Sequence, residues 1–374
     1  MNDLNLYVLQ LLIVGAVVAA LVWRTNIVYR FQVCGWVLLN YVIVLRYGPV
    51  GQLEFYSNDQ RHFTNVVETL VSGSFTSEFE WWLSSVRIPF TFPATVLSFV
   101  GVDPALSLKT TSLVFLLGTT HLVLGAVNHA QTSRRSVITY LTAIGPVGVF
   151  FASLAQRDTS LMFFATLLVV KQSPLSRSMA VAMLLLLRPH LAASLVLGWL
   201  CVYTTRFTKP EGRWLPFRAV AIIVAGSLFG YILFSLGVMY ETNATEYFGH
   251  SFGVRPVTRI LANFIGLQFL ASSAASIEFS VAQLLMARIP LSETIVIPTL
   301  FTALTVVGRH ITRRSKWILW SFSIYVGLVT NTDFNSFRQN LPFMPIMGLC
   351  IVGKFQALRQ SNSPSSSRGS HAET

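Results

Sequence analysis

Long apolar runs recur along the chain at about 5–23, 31–46, 106–127, 136–154, 219–239, 260–275, 294–308 and 317–330. Most approach the ~20 residues that a helix needs to cross ~30 Å of hydrocarbon. Shorter runs fall at 89–102, 159–170 and 341–353, and the run 178–203 is interrupted by Arg188-Pro189-His190. The pattern predicts about ten or eleven crossings, some short or broken. In lipid only helices and closed barrels satisfy every backbone group, and uninterrupted runs lack the alternation of a barrel strand. The predicted class is therefore all-α, a polytopic integral membrane protein with short re-entrant and interfacial helices added to its crossings. No repeat of fixed period is present, and residues 1–360 read as one transmembrane domain.

Composition agrees: 53% of residues are hydrophobic, 11% are charged, and the mean hydropathy is +0.60. No Lys or Arg precedes the first apolar run, which is long enough to span, so it reads as a transmembrane helix and not as a cleaved signal. Cys34, Cys201 and Cys350 all lie inside apolar spans, without Cys/His spacing for a metal, and are expected in the core. No metal ligand set is predicted, although an added divalent cation is compatible with the chemistry considered below.

Charge sets the orientation. Basic residues cluster at Arg24 and Arg30, Arg134 and Arg135, Lys171 and Arg177, Arg206 to Arg218, Arg309 to Lys316, and Lys354 to Arg368. These clusters hold 17 of the 27 Lys and Arg but only Glu211 and Glu373 of the 15 acids, and the positive-inside rule makes them cytoplasmic. Acids contribute little to topology, so their segregation to the other side is a partly independent check. The net charge of +12 needs no nucleic-acid partner: cytoplasmic loops facing anionic lipid account for it. The Ser/Pro-rich tail 361–374 is expected to be a disordered cytoplasmic segment.

The outer segments are then 47–105, 155–158, 188–190, 240–259, part of 276–293, and 331–340. In the first of these, Phe63, Val66, Val67, Leu70 and Val71 form the stripe of a helix expected to lie flat on the membrane surface. Trp81 and Trp82 mark a second interfacial helix. The short apolar run from Arg87-Ile-Pro89 to Gly101-Val-Asp103-Pro104 is expected to dip in from outside without crossing.

The order is an acidic outer loop holding Glu54 and Asp59, a Pro-punctuated apolar helix, a glycine turn, two crossings, and a short outer loop with Arg157-Asp158. In this the chain resembles the GT-C superfamily of polytopic glycosyltransferases over about residues 47–200. Phe337-Arg338-Gln-Asn-Leu-Pro342 is similar to the Arg and Leu-Pro that often open the last helix of such enzymes. The resemblance implies transfer, with inversion, of a sugar from a polyprenyl-phosphate-linked donor to a lipid or glycan acceptor on the extracytoplasmic face. It implies a bacterial inner membrane, an active site facing the periplasm or exterior, and a role in cell-surface polysaccharide. An extra helix precedes the acidic loop and no soluble C-terminal domain follows. These departures, with the Tyr-Gly-Pro to Asp59 stretch, also resemble Wzy-type O-antigen polymerases, and a lipid-linked saccharide transporter is a third reading.

The chemistry can be stated from the residues as well. A sugar leaving a lipid phosphate needs an acceptor hydroxyl deprotonated as it attacks, which a positioned carboxylate can do. Asp59 is the first candidate base, with Glu54 and Asp158 as further acids. The leaving phosphate calls for guanidinium forks, and Arg61, Arg157, Arg188, Arg255 and Arg338 are all predicted on the outer face, with His190 beside Arg188. The competing structural roles are N-capping of the 61–72 helix for Asp59, a local ion pair for Arg157-Asp158, a capped turn for Arg188, and snorkelling for Arg338.

Overall fold

A computed structural model describes residues 35, 54–74, 86–129, 148, 151–152, 156–204, 216–241, 264, 296–307, 312–329 and 337–362. All regular structure among them is helical: α1 Glu54–Ser72, α2 Ile88–Phe99, α3 Pro104–His129, α4 Asp158–Val170, α5 Pro174–Leu187, α6 Pro189–Thr204, α7 Pro216–Glu241, α8 Val296–Val307, α9 Arg313–Val329, the 3-10 helix Phe337–Phe343, and α10 Met344–Asn362. The run 5–23, most of 31–46, 136–154 and 260–275, the Trp81-Trp82 segment, Arg255 and the tail beyond Asn362 lie outside the described residues.

Prolines set many of the boundaries. Pro104, Pro174, Pro189 and Pro216 each open a helix, where the absent N–H costs nothing and the fixed φ is already helical. Asp103 caps α3, its Oδ1 accepting the Leu106 N–H at 3.0 Å, and Thr312 caps α9 through the Ser315 N–H at 3.1 Å. Between α2 and α3 the chain turns at Gly101, whose φ of 93 suits a residue without Cβ. The two helices then pack as a hairpin pinned by Ser98 Oγ donating to Ser107 Oγ at 3.0 Å.

Among the described residues one helix, Pro104–Val127, is long and apolar enough to cross a membrane, while the apolar helices Ile88–Phe99, Asp158–Val170, Pro174–Leu187, Pro189–Thr204, Phe217–Leu233, Val296–Val307 and Asn340–Gly353 are shorter. The shortness has a local cause in places: the Arg188-Pro189 step divides what would otherwise be one run, leaving 14 residues in α5 and 16 in α6. In the segment 89–102, expected to be re-entrant, α2 has 12 residues before the glycine turn.

Two expectations about the first outer segment change. The helix begins at Glu54 and not near residue 61, so Asp59 occupies its interior and cannot be the N-cap. The stripe is not left for a lipid surface, because α1 lies on α2 and α3. Phe63, Val66 and Val67 are buried, and the Phe63 ring meets Phe90 of α2 edge-on at 5.2 Å between centroids. Arg61, His62, Asn65 and Glu68 form the opposite, exposed face. An amphipathic stripe says that an apolar partner exists without saying which.

The second half is organised around α9, which packs between α6 and α7. Small residues permit the approach. A Cβ on Gly198 of α6 would meet the backbone of Ser321, one on Gly230 of α7 would meet the Ile324 carbonyl, and one on Gly327 of α9 would meet the Ser227 carbonyl and, at 2.8 Å, the Tyr231 nitrogen. Gly226 and Gly230 have the small-xxx-small spacing that lets helices touch backbone to backbone. Trp317 Nε1 donates to the Leu195 carbonyl at 2.8 Å and ties α9 to α6.

Gly230→Val and Gly327→Val should each destabilise by about 1–3 kcal/mol through overpacking, read as a lower thermal midpoint of the purified protein. Gly353→Ala, where an added Cβ meets nothing within 4 Å, should leave the midpoint unchanged. Equal midpoints for all three would remove the close α7–α9 contact.

Candidate functional site

The break after α5 creates an electrostatic problem. Pro189 has no N–H, and the last carbonyls of α5 form the negative end of a helix dipole. Two arginines from elsewhere answer it. Arg157, immediately before α4, donates from Nη1 to the Leu187 carbonyl at 3.2 Å, and Arg87, immediately before α2, donates from Nη1 to the Leu186 carbonyl at 3.4 Å. Arg188 itself, with φ −158 and ψ 89, has left helical geometry, and its Nη1 donates to the hydroxyl of Tyr325 on α9 at 3.1 Å.

Three guanidinium groups therefore meet at one helix end, and all three raise the positive potential at His190. Burial and the Arg188 charge hold the Arg87 guanidinium below its ordinary pKa. Arg87 is also the single positive-φ residue other than glycine among the described residues, at φ 51. Such a conformation persists where the surroundings over-determine it.

Arg188 is only 9% exposed, and among the described residues its hydrogen-bond partner is a neutral phenol and not a carboxylate. Its Nε has no hydrogen-bond partner. Like charges brought together out of bulk water repel, and a buried cation adds its desolvation cost. An anion seated against the three guanidiniums would relieve both. The negative charge described in the neighbourhood belongs to Asp158, fully buried in the first turn of α4, where the helix dipole favours it, and close enough to act on Tyr325.

Tyr325 is fully buried at the centre of this arrangement. It takes the Arg188 hydrogen bond, the exposed His190 stacks on it at 5.8 Å between centroids and 21° between planes, and Phe343 of the 3-10 helix lies against it at 5.2 Å. The 3-10 helix also packs on α4. The position of the arginine group along the helices follows from helix rise. Ser112 of α3 donates to the Gln156 carbonyl at 3.1 Å. Ser112 is about 12 Å along α3 from its start, and Arg87 about 17 Å along α2 from the glycine turn, at ~1.5 Å per residue. The arginine group thus lies toward the end of α2 remote from the α2–α3 turn, beside one wall of that hairpin.

Among the residues predicted from sequence, Arg157, Arg188, His190 and Asp158 come together here. Arg61 is exposed on α1 and makes no contact that joins it to the group among the described residues. Lys109 is fully buried within α3. Glu54 and Asp59 are placed on α1 and Arg338 in the 3-10 helix by their backbones. Their side chains lie outside the described residues, as does Arg255. Sequence reading missed Arg87, although its position before a proline on an outer segment was a signal, and Tyr325, for which an apolar span carried none. No group of three or more His, Cys, Asp or Glu side chains gathers among the described residues.

Comparison of the chain with family models, curated proteins and solved structures yields no match.

If this group holds an anion, farnesyl phosphate at about 100 times its Kd should stabilise the protein by about 2.7 kcal/mol through mass action. A thermal shift of the wild type that Arg188→Gln abolishes is the expected result. An equal shift in both would place the anion elsewhere.

Proposed function

We propose that this chain is a polytopic membrane glycosyltransferase that takes a sugar from a polyprenyl-phosphate-linked donor on the extracytoplasmic face. The membrane half of the reading is supported by apolar side chains left exposed at helical spacing. On α2 these are Ile88, Phe92, Val96 and Phe99, with Phe92 62% and Phe99 64% exposed. On α7 they are Phe217, Val220, Val224, Leu228 and Ile232. Soluble monomers seldom expose stripes of this extent, whereas a helix facing hydrocarbon requires them.

The transferase half rests on one observation, the buried Arg188 with a phenol for a partner beside Arg87 and Arg157. A phosphate leaving group gains negative charge as the glycosidic bond breaks. Guanidinium groups already fixed by backbone carbonyls and by Tyr325 stabilise that charge without reorganising. Their position next to apolar helix faces suits a ligand with an ionic head and a hydrocarbon tail. Asp59 on α1 is the candidate base that removes the acceptor proton, as Arg87, Arg157 and Arg188 hold the departing phosphate.

The test supplies the purified full-length protein with polyprenyl-phosphate-linked sugars and a range of glycan and lipid acceptors. Asp59→Asn should lower kcat by about 100-fold or more, the scale of a lost general base, with KM for the donor little changed. Arg188→Gln should lower kcat/KM. Equal turnover by the wild type and Asp59→Asn removes Asp59 as the base, and an absence of product from every lipid-linked donor points to transport. Product length separates a single-sugar transferase from a repeat-unit polymerase.

A further inference from the structure

Beside the arginine group lie two carboxamides whose polar atoms are all unused. Gln156, 0% exposed, immediately precedes Arg157, and neither Oε1 nor Nε2 has a hydrogen-bond partner. Asn340, 1% exposed, is in the 3-10 helix that packs on α4, and neither Oδ1 nor Nδ2 has one. Thr159 Oγ1 in the first turn of α4 is in the same condition. Buried polar groups are nearly always satisfied, and each orphaned one costs about as much as a lost hydrogen bond.

The backbone that carries each amide is tied to its neighbours, at Gln156 through its main-chain carbonyl and at Asn340 through the 3-10 helix. The Gln156 carbonyl is fixed by the Ser112 hydroxyl at 3.1 Å. Asn340 is one turn ahead of Phe343, whose ring lies on Tyr325, the residue that holds Arg188. A core needing only volume here would be served by leucine. A carboxamide offers a donor pair and an acceptor pair in one plane, which matches adjacent hydroxyl groups. From these residues we infer that Gln156 and Asn340, with the Thr159 hydroxyl, form a hydroxyl-reading subsite that binds the sugar attached to the phosphate held by Arg188. The inference rests on the donor reading above and assigns its specificity to residues outside the arginine group. Because both amides are sealed from solvent, sugar entry requires the 3-10 helix and the start of α4 to part.

Binding separates the subsite from the anion site. The full-length wild type is titrated with farnesyl phosphate, and with farnesyl phosphate carrying glucose, galactose, mannose or N-acetylglucosamine. At least one glycosylated form should bind more tightly than the bare phosphate. Gln156→Leu and Asn340→Leu should each reduce that sugar-dependent gain by about tenfold, the scale of one hydrogen bond. Affinity for bare farnesyl phosphate should not change. Since each substitution replaces an unsatisfied buried amide with an apolar group of similar size, the thermal midpoint should hold or rise. A lowered midpoint with the sugar-dependent gain intact overturns the subsite and makes the amides structural. Equal wild-type affinity for bare and glycosylated lipids also overturns it while sparing the anion site. A wild type that binds none of the lipids removes the donor reading and the subsite with it.

Discussion

The constraint on which the candidate site depends is the interruption of one apolar run at Arg188-Pro189. Breaking a helix inside a protein leaves carbonyls to satisfy and concentrates the negative end of a dipole. Arg87 and Arg157 cap those carbonyls from two other segments, so the break gathers positive charge from three places in the chain. Arg188 is turned toward α9, where the Tyr325 hydroxyl receives it. Without the proline, the Leu186 and Leu187 carbonyls would be engaged within a continuing helix, and the arginines would have no common target.

The surrounding packing makes that target rigid. Tyr325 cannot retreat, because α9 is locked against α7 and α6 by glycine contacts and by the Trp317 to Leu195 hydrogen bond. His190 and Phe343 cover its ring from α6 and from the 3-10 helix. Groups fixed in this way stabilise charge that appears during a reaction more effectively than mobile ones, since no reorganisation is needed at that moment. In an apolar setting the same charges interact more strongly than they would in water.

Much of this was legible in the sequence. Apolar runs located the cores of α3, α4, α7, α9 and α10, and the interruption at Arg188 was visible as charge and proline inside hydrophobic sequence. Gly101-Val-Asp103-Pro104 announced the turn, and the structure adds the Asp103 cap. The stripe from Phe63 to Val71 was read as one apolar face laid on the membrane surface, whereas it lies on α2 and α3, because periodicity records amphipathicity and not the identity of the neighbour. Asp59 was placed at a helix start because the apolar stripe begins after it, whereas the helix extends back to Glu54 through residues with no stripe of their own. Tyr325 and the Gly226, Gly230 and Gly327 contacts were hidden for a different reason. Within an apolar span, one tyrosine or glycine acquires meaning only when the facing helix is known.

In the proposed function Arg188 is a buried cation that receives a lipid phosphate. That role is tested most directly by an experimental structure of the full chain with farnesyl phosphate bound. Phosphate oxygens should lie within hydrogen-bond distance of Arg188, with Arg87 or Arg157 as a second contact and the hydrocarbon leaving along an apolar helix face. A phosphate bound away from all three, or an Arg188 guanidinium closed in a salt bridge to a carboxylate of this chain, would contradict it.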